Sequence, residues 1–145
     1  MEKINFKTVI NASPEKVWKV LWTDDTYRKW TSAFSEGSYA ETDWKKGSKV
    51  LFLDGKGRGM VSRIADNKPN EYMSIEHLGE VTDGVEDTTS EQVKAFAGAH
   101  ENYTLKKVNG KTELIIDMDI TEDYKEMFSK MWPVALDNVK RLSEN

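Results

Sequence analysis

Thr121–Asn145, T-E-D-Y-K-E-M-F-S-K-M-W-P-V-A-L-D-N-V-K-R-L-S-E-N, is the stretch that decides the fold. Tyr124, Met127, Phe128, Met131, Trp132, Ala135, Leu136, Val139 and Leu142 recur every three or four residues. Glu122, Lys125, Glu126, Lys130, Asp137, Lys140 and Arg141 fill the other side. Intervals of three and four bring side chains onto one face of an α-helix, so the spacing predicts a long amphipathic helix. Thr121 offers a side-chain cap, Glu122 and Asp123 suit the positive end of the helix dipole, and Lys140 and Arg141 suit the negative end. Pro133 lacks a backbone donor and crowds the carbonyl of Ser129, which predicts a bend. So wide an apolar face needs a large complementary surface, and the preceding residues must supply it.

They read mainly as strands. From Lys3 to Ile10, Ile4, Phe6, Thr8 and Ile10 alternate with Lys3, Asn5, Lys7 and Val9, the period of a half-buried strand. Ser13 as cap and Pro14 as first helical residue open a short helix carrying Val17, Trp18, Val20 and Leu21, and Thr23-Asp24-Asp25 starts a second through Tyr27 and Trp30. Strand runs at Ser38–Thr42, Ser48–Leu53, Gly59–Ala65 and Glu71–Leu78 follow. Gly47, Asp54-Gly55-Lys56-Gly57 and Asn67-Lys68-Pro69-Asn70 separate them as turns, giving an antiparallel meander. Asn109-Gly110 is the residue pair of a type I′ turn and fixes a hairpin over Tyr103–Ile120. Counting back from it pairs Lys106 with Glu113, Leu105 with Leu114, Tyr103 with Ile116 and Glu101 with Met118. Apolar side chains then meet on one face and opposite charges on the other, which supports the register. The inward face carries Tyr103, Leu105, Leu114, Ile116, Met118 and Ile120. Between the meander and this hairpin, Glu80–Glu91 reads as an acidic loop, with a small helix over Ser90–Ala97 stopped by Gly98.

The bulk composition narrows the function. At 145 residues the chain makes one domain, residues 1–145, and its 32% charged and 38% hydrophobic content is that of a water-soluble globular protein. A net charge of -4 without a basic run argues against nucleic acid or an anionic membrane as partner. With no cysteine there is no disulfide, no thiolate nucleophile and no Cys-bound zinc. The first residues enter a strand directly, with no apolar signal core, so the expected location is the cytoplasm.

One strand, two short helices, a run of antiparallel strands and a final long helix predict an α+β domain with the helix laid across a curved sheet. Ala12-Ser13-Pro14-Glu15-Lys16-Val17-Trp18, Trp30, Trp44-Lys45-Lys46-Gly47, Asn67-Lys68-Pro69 and Met131 to Lys140 resemble, in order and spacing, the SRPBCC (START/Bet v1-like) superfamily. Within it they are most similar to the branch of activator of Hsp90 ATPase homolog C-terminal-like domains. The resemblance implies a helix-grip fold, a bent antiparallel sheet around the last helix with an apolar cavity between them. Fold alone does not fix the chemistry.

Catalytic and metal motifs are absent. His77 and His100 stand in no HExxH-type pair, no Gly-x-Ser-x-Gly turn occurs, and Gly55-Lys56-Gly57-Arg58-Gly59 opens no helix and reads as a hairpin turn. The register sets His100 outward beside Asp119. Glu101 falls on the inward face, where a carboxylate needs a partner or a proton, and Tyr103 and Tyr39 can present hydroxyls. The leading expectation is a non-catalytic monomer without cofactor or metal that holds a small apolar or amphipathic molecule. The residues expected to line its cavity are Phe128, Met131, Trp132, Ala135, Tyr103, Ile116 and Met118, with Glu101 or His77 as polar contact. Resemblance to the superfamily's cyclases and aromatases suggests a second reading, with Glu101 or His77 as acid/base. The branch name suggests a third, contact with a chaperone.

Overall fold

The computed structural model describes residues Met1–Asn145. Alternation at the start gives β1 (Glu2–Ile10), with Ile4 and Ile10 buried. Then α1 (Pro14–Trp22) begins where Ser13 Oγ accepts the Lys16 amide at 3.2 Å, and α2 (Asp24–Thr31) follows after a single residue. The meander comprises β2 (Tyr39–Glu41), β3 (Lys49–Leu53), β4 (Arg58–Lys68), β5 (Tyr72–Thr82) and β6 (Val85–Asp87). One turn of helix, α3 (Glu91–Lys94), capped by Ser90, precedes the hairpin of β7 (His100–Val108) and β8 (Lys111–Ile120). The chain ends in α4 (Glu122–Glu144), 23 residues long. All strand pairings are antiparallel. The eight strands form one curved sheet in the order β1-β8-β7-β5-β4-β3-β2, with β6 beside β5. This is the α+β helix-grip fold, and it confirms the expected class.

The β7–β8 register is the one counted from Asn109-Gly110, residue for residue, and both turn residues have the positive φ that type I′ requires, 52° and 79°. Its inward set of Tyr103, Leu105, Leu114, Ile116, Met118 and Ile120 is buried throughout. The Asp54–Gly57 turn forms where expected, with Asp54 Oδ1 accepting the amides of Lys56 and Arg58.

Four expectations need correction. β4 continues through Asn67 and Lys68, which had read as turn. The Asn67 side chain instead donates to the Trp44 carbonyl at 2.7 Å, bracing a tryptophan whose φ is 62°. The acidic segment is not all loop, since β5 runs to Thr82 and an Asp83-Gly84 turn, φ 50° and 81°, leads into β6. Asp-Gly is itself a hairpin signal, and the surrounding acids obscured it. Thr121 precedes α4 without making a side-chain cap bond. Finally, the apolar face of α4 is buried only in its second half. Trp132, Ala135, Leu136 and Val139 sit in the core, whereas Tyr124 is 53% and Met127 40% exposed.

The core lies where α4 packs on β1, α1 and α2. Aromatic rings meet there at close range: Trp132 is 4.9 Å from Phe34, 6.0 Å from Tyr103 and 6.2 Å from Trp30. The first half of α4 stays clear of β3, β4 and β5, so part of the concave sheet face is left uncovered. No helix is long and apolar enough to cross a membrane.

Candidate functional site

The uncovered concavity is a cavity of about 630 Å³, within the range of small-molecule sites. Of its 28 wall residues 17 are hydrophobic, which makes it a greasy space with a few placed polar groups. Phe128 and Trp132 face it from α4, Tyr27, Trp30 and Phe34 from α2 and just beyond, Tyr103 and Met118 from the β7–β8 hairpin, and Phe52 and Met60 from β3 and β4. Tyr124 and Met127, left bare on the helix, front the same space. A smaller depression of about 290 Å³ between β1 and α4 has only two hydrophobic residues among seven and is a surface groove.

A chain of four polar side chains crosses the cavity floor. Ser62 Oγ lies 2.7 Å from His77 Nδ1, His77 Nε2 lies 3.2 Å from Glu101 Oε1, and the Tyr103 hydroxyl donates to Glu101 Oε2. A carboxylate only accepts, so the ring nitrogen facing Glu101 carries the proton. In the neutral ring Nδ1 then accepts, and the Ser62 hydroxyl donates to it. Both Glu101 oxygens are thereby engaged, at a position where its side chain is only 17% exposed. Burial, then the charge of Glu101 and the bond to it, push the Tyr103 hydroxyl well above the usual tyrosine range. Burial first and Glu101 second raise Tyr27 likewise, so both phenols remain protonated at any physiological pH.

A backbone irregularity aims His77. Val61 pairs with Gly79 but Ser62 pairs with His77, so Leu78 is an extra residue that bulges β5. Such a bulge turns the strand locally, and it puts His77 on the inner face beside Ser62 and Phe52, whose ring centroid is 6.1 Å away. Ser62 is fully buried, so no substrate reaches its hydroxyl; it orients the imidazole and is no nucleophile.

Of the residues expected to line the cavity, Glu101, Tyr103, Met118, Phe128, Trp132 and His77 do lie on its wall, as does Tyr39. Three do not. Ile116 and Ala135 are fully buried in the packed core, and Met131, half-buried, lies off the cavity wall. Helical spacing had grouped Met131 and Ala135 with Phe128 and Trp132, but the cavity spans only part of that face. His100 touches Asp119 through its backbone amide at 3.0 Å rather than its ring. Sequence reading missed Ser62, Tyr27, Phe52 and Met60. Phe52 and Met60 oppose each other across β3–β4, so the inward alternation used for the later hairpin was the available signal. For Ser62 the one signal was Gly79, an isolated glycine directly after the Leu78 bulge that pairs Ser62 with His77.

The sequence model described as "Activator of Hsp90 ATPase homolog 1-like protein" matches residues 11–144. No curated protein gives a significant match to the sequence. Among solved structures, the Aha1 dimer from Colwellia psychrerythraea is 23% identical with a TM-score of 0.73, covering 99% of this chain and 97% of that one. A solution structure from Cytophaga hutchinsonii is 21% identical with a TM-score of 0.73, over 100% and 95% of the two chains. DynU16, encoded in the dynemicin biosynthetic locus, is 12% identical with a TM-score of 0.72, covering 97% of this chain and 46% of that one. At these identities the structural likenesses establish the fold, while the sequence match extends over nearly the full length, and the chain belongs to the family of Activator of Hsp90 ATPase homolog 1-like proteins.

Proposed function

We propose that the chain is a binding protein, a carrier or sensor, for a small apolar or amphipathic molecule held between the sheet and the first half of α4. One observation carries this reading: a space of about 630 Å³ lies beside a well-packed core, walled by aromatic rings and floored by a satisfied polar chain. A space that size, lined mainly by apolar groups, leaves unmet contacts that a ligand supplies. The polar floor gives such a ligand one fixed orientation. Glu101, Tyr103, His77, Met118, Phe128 and Trp132 are the contacts assigned to it.

The test uses a neutral lipophilic fluorophore, N-phenyl-naphthylamine, and the variant Ala95→Trp. Ala95 is exposed on the cavity wall, so an indole there fills the mouth without entering the core. Wild type is expected to bind the probe with enhanced emission, and the variant to lose binding while its unfolding free energy stays within about 1 kcal/mol. Equal binding by both places the probe elsewhere and sinks the reading. It takes the chain as a monomer, whereas the Colwellia relative is described as a dimer; sedimentation at micromolar concentration decides between them.

A second reading, acid/base catalysis of the cyclase kind, is supported by the meeting of His77 and Glu101 at 3.2 Å on the cavity floor. Two convergent titratable groups are what proton transfer requires. Turnover of a bound compound that Glu101→Gln abolishes, with its binding retained, would favour the enzyme over the carrier.

A further inference from the structure

Five carboxylates face the cavity, Asp54, Glu80, Glu101, Asp119 and Asp123, and no lysine or arginine does. Two of the five are already neutralised: Asp119 lies 3.2 Å from Lys3 Nζ, and Asp54 accepts two backbone amides and lies 3.9 Å from Arg58. The other three are not. Glu80 accepts only the amide of Gln92, at 3.2 and 3.3 Å, Asp123 has no ion pair, and Glu101 holds only His77 and Tyr103. The potential inside is therefore negative, and low-dielectric walls concentrate it.

Tyr27 adds a polar group to the same wall. It is 8% exposed, lies on the cavity wall within the field of Glu101, and its hydroxyl has no hydrogen-bond partner in the chain. That oxygen is not sealed off, so it opens toward the cavity, where a bound headgroup can reach it. Its ring stacks at 6.4 Å with Phe52, and Phe34 meets Trp132 at 4.9 Å, so π-faces surround the space. Aromatic faces attract cations, and most strongly when water is excluded. An inorganic ion does not fit, because no three carboxylate or imidazole groups converge. A fatty acid or other anion would meet three carboxylates and no counter-charge.

We propose that the cavity selects a lipophilic organic cation, an alkyl or aryl amine that is protonated or quaternary at neutral pH. Its tail lies against Phe34, Phe128 and Trp132, and its ammonium group lies between Tyr27 and Glu101. This rests on the binding reading above and adds the charge of the ligand to it. The experiment compares three probes with the same chain, decyltrimethylammonium, decanol and decanoate, each displacing N-phenyl-naphthylamine from the full-length protein. The cation is expected to bind about tenfold tighter than the alcohol, and decanoate to bind weakest. Glu80→Gln, at the mouth, should reduce the cation's advantage about threefold or more while leaving decanol unchanged, and Glu101→Gln, on the floor, should weaken the cation more than it weakens decanol. The mouth variant keeps the test alive if the floor variant disturbs folding. Decanol binding as tightly as the cation, or decanoate binding tightest, overturns the cation class but leaves the cavity reading standing. Failure of all three probes and of the fluorophore brings down the cavity reading itself.

Discussion

Trp30 and Trp132 make a matched pair whose replacement by phenylalanine separates packing from hydrogen bonding. Both are buried, at 1% and 2% exposure, and their rings lie 6.2 Å apart. The loss of ring atoms is the same in each, roughly 1–2 kcal/mol of transfer and packing. The polar atoms differ. Trp30 Nε1 donates at 3.1 Å to the carbonyl of Leu21, one of the last carbonyls of α1, which the helix itself cannot satisfy. Trp132 Nε1 is buried without an acceptor. Trp30→Phe therefore loses a bond and strands a carbonyl, a further ~1–3 kcal/mol, while Trp132→Phe removes an unpaired donor and recovers about 1 kcal/mol. Expected is a gap of about 2–4 kcal/mol, with Trp132→Phe near neutral. In urea unfolding followed by far-ultraviolet circular dichroism, that gap is a midpoint difference of about 1 M or more. Midpoints within about 0.2 M of each other, or the reverse order, would refute the account of how these indoles are satisfied.

Other changes probe the sheet, the relay and the surface charges. Gly59→Ala sets a Cβ 1.7 Å from the Phe52 carbonyl oxygen, on backbone of the paired strand, so the β3–β4 ladder must open there. A loss of about 2 kcal/mol or more is expected, with faster amide exchange at Leu53. Ser62→Ala removes the donor to His77 Nδ1 and should cost about 1 kcal/mol, while ¹⁵N shifts of the imidazole should still report the Nε2–H tautomer, because Glu101 remains to accept from it. At Asp119, burial pushes the carboxyl up, but the His100 amide and the Lys3 ammonium outweigh it and hold it below the usual carboxylate range. A lowered folded-state pKa gives stability that is complete above the unfolded value near pH ~4 and is lost as pH falls through the folded one. Stability of Asp119→Asn should accordingly fall less steeply than wild type below about pH 4.

How far the residues disclosed this structure depended on whether a local rule governed each position. The β7–β8 register followed from Asn109-Gly110 because a two-residue turn leaves one pairing that keeps Leu105, Leu114 and Ile116 on the same face. Ser13 and Pro14 fixed the start of α1 by the same kind of local chemistry. Glu101 could be placed inward by counting, but its partners could not, since His77 arrives from another strand and only after the Leu78 bulge has shifted the alternation. Periodicity along α4 identified an apolar face without indicating how much of it the sheet would cover. Ala135 and Trp132 look equivalent in spacing, yet one is sealed in the core and the other borders open space.

That uneven cover has a cause in the residues opposite. Seating the first half of α4 on the sheet would bury the exposed parts of Tyr124 and Met127, 53% and 40% of each, for a gain of roughly 1 kcal/mol apiece. The concave face it would meet carries Glu80 and Glu101 beside Met60 and His77. Neither Tyr124 nor Met127 provides a cation, so closure would strip water from the Glu80 carboxylate, held only by the Gln92 amide, at an effective cost of several kcal/mol. The unfavourable term exceeds the favourable one, and the helix stays lifted. The second half meets no such obstacle, because the surface beneath it is Ile4, Ile10, Val17, Val20 and Leu21, and there it packs closely. Glu80 on the concave face therefore acts as a spacer: it keeps the cavity open against hydrophobic collapse, and the same charge helps decide what enters.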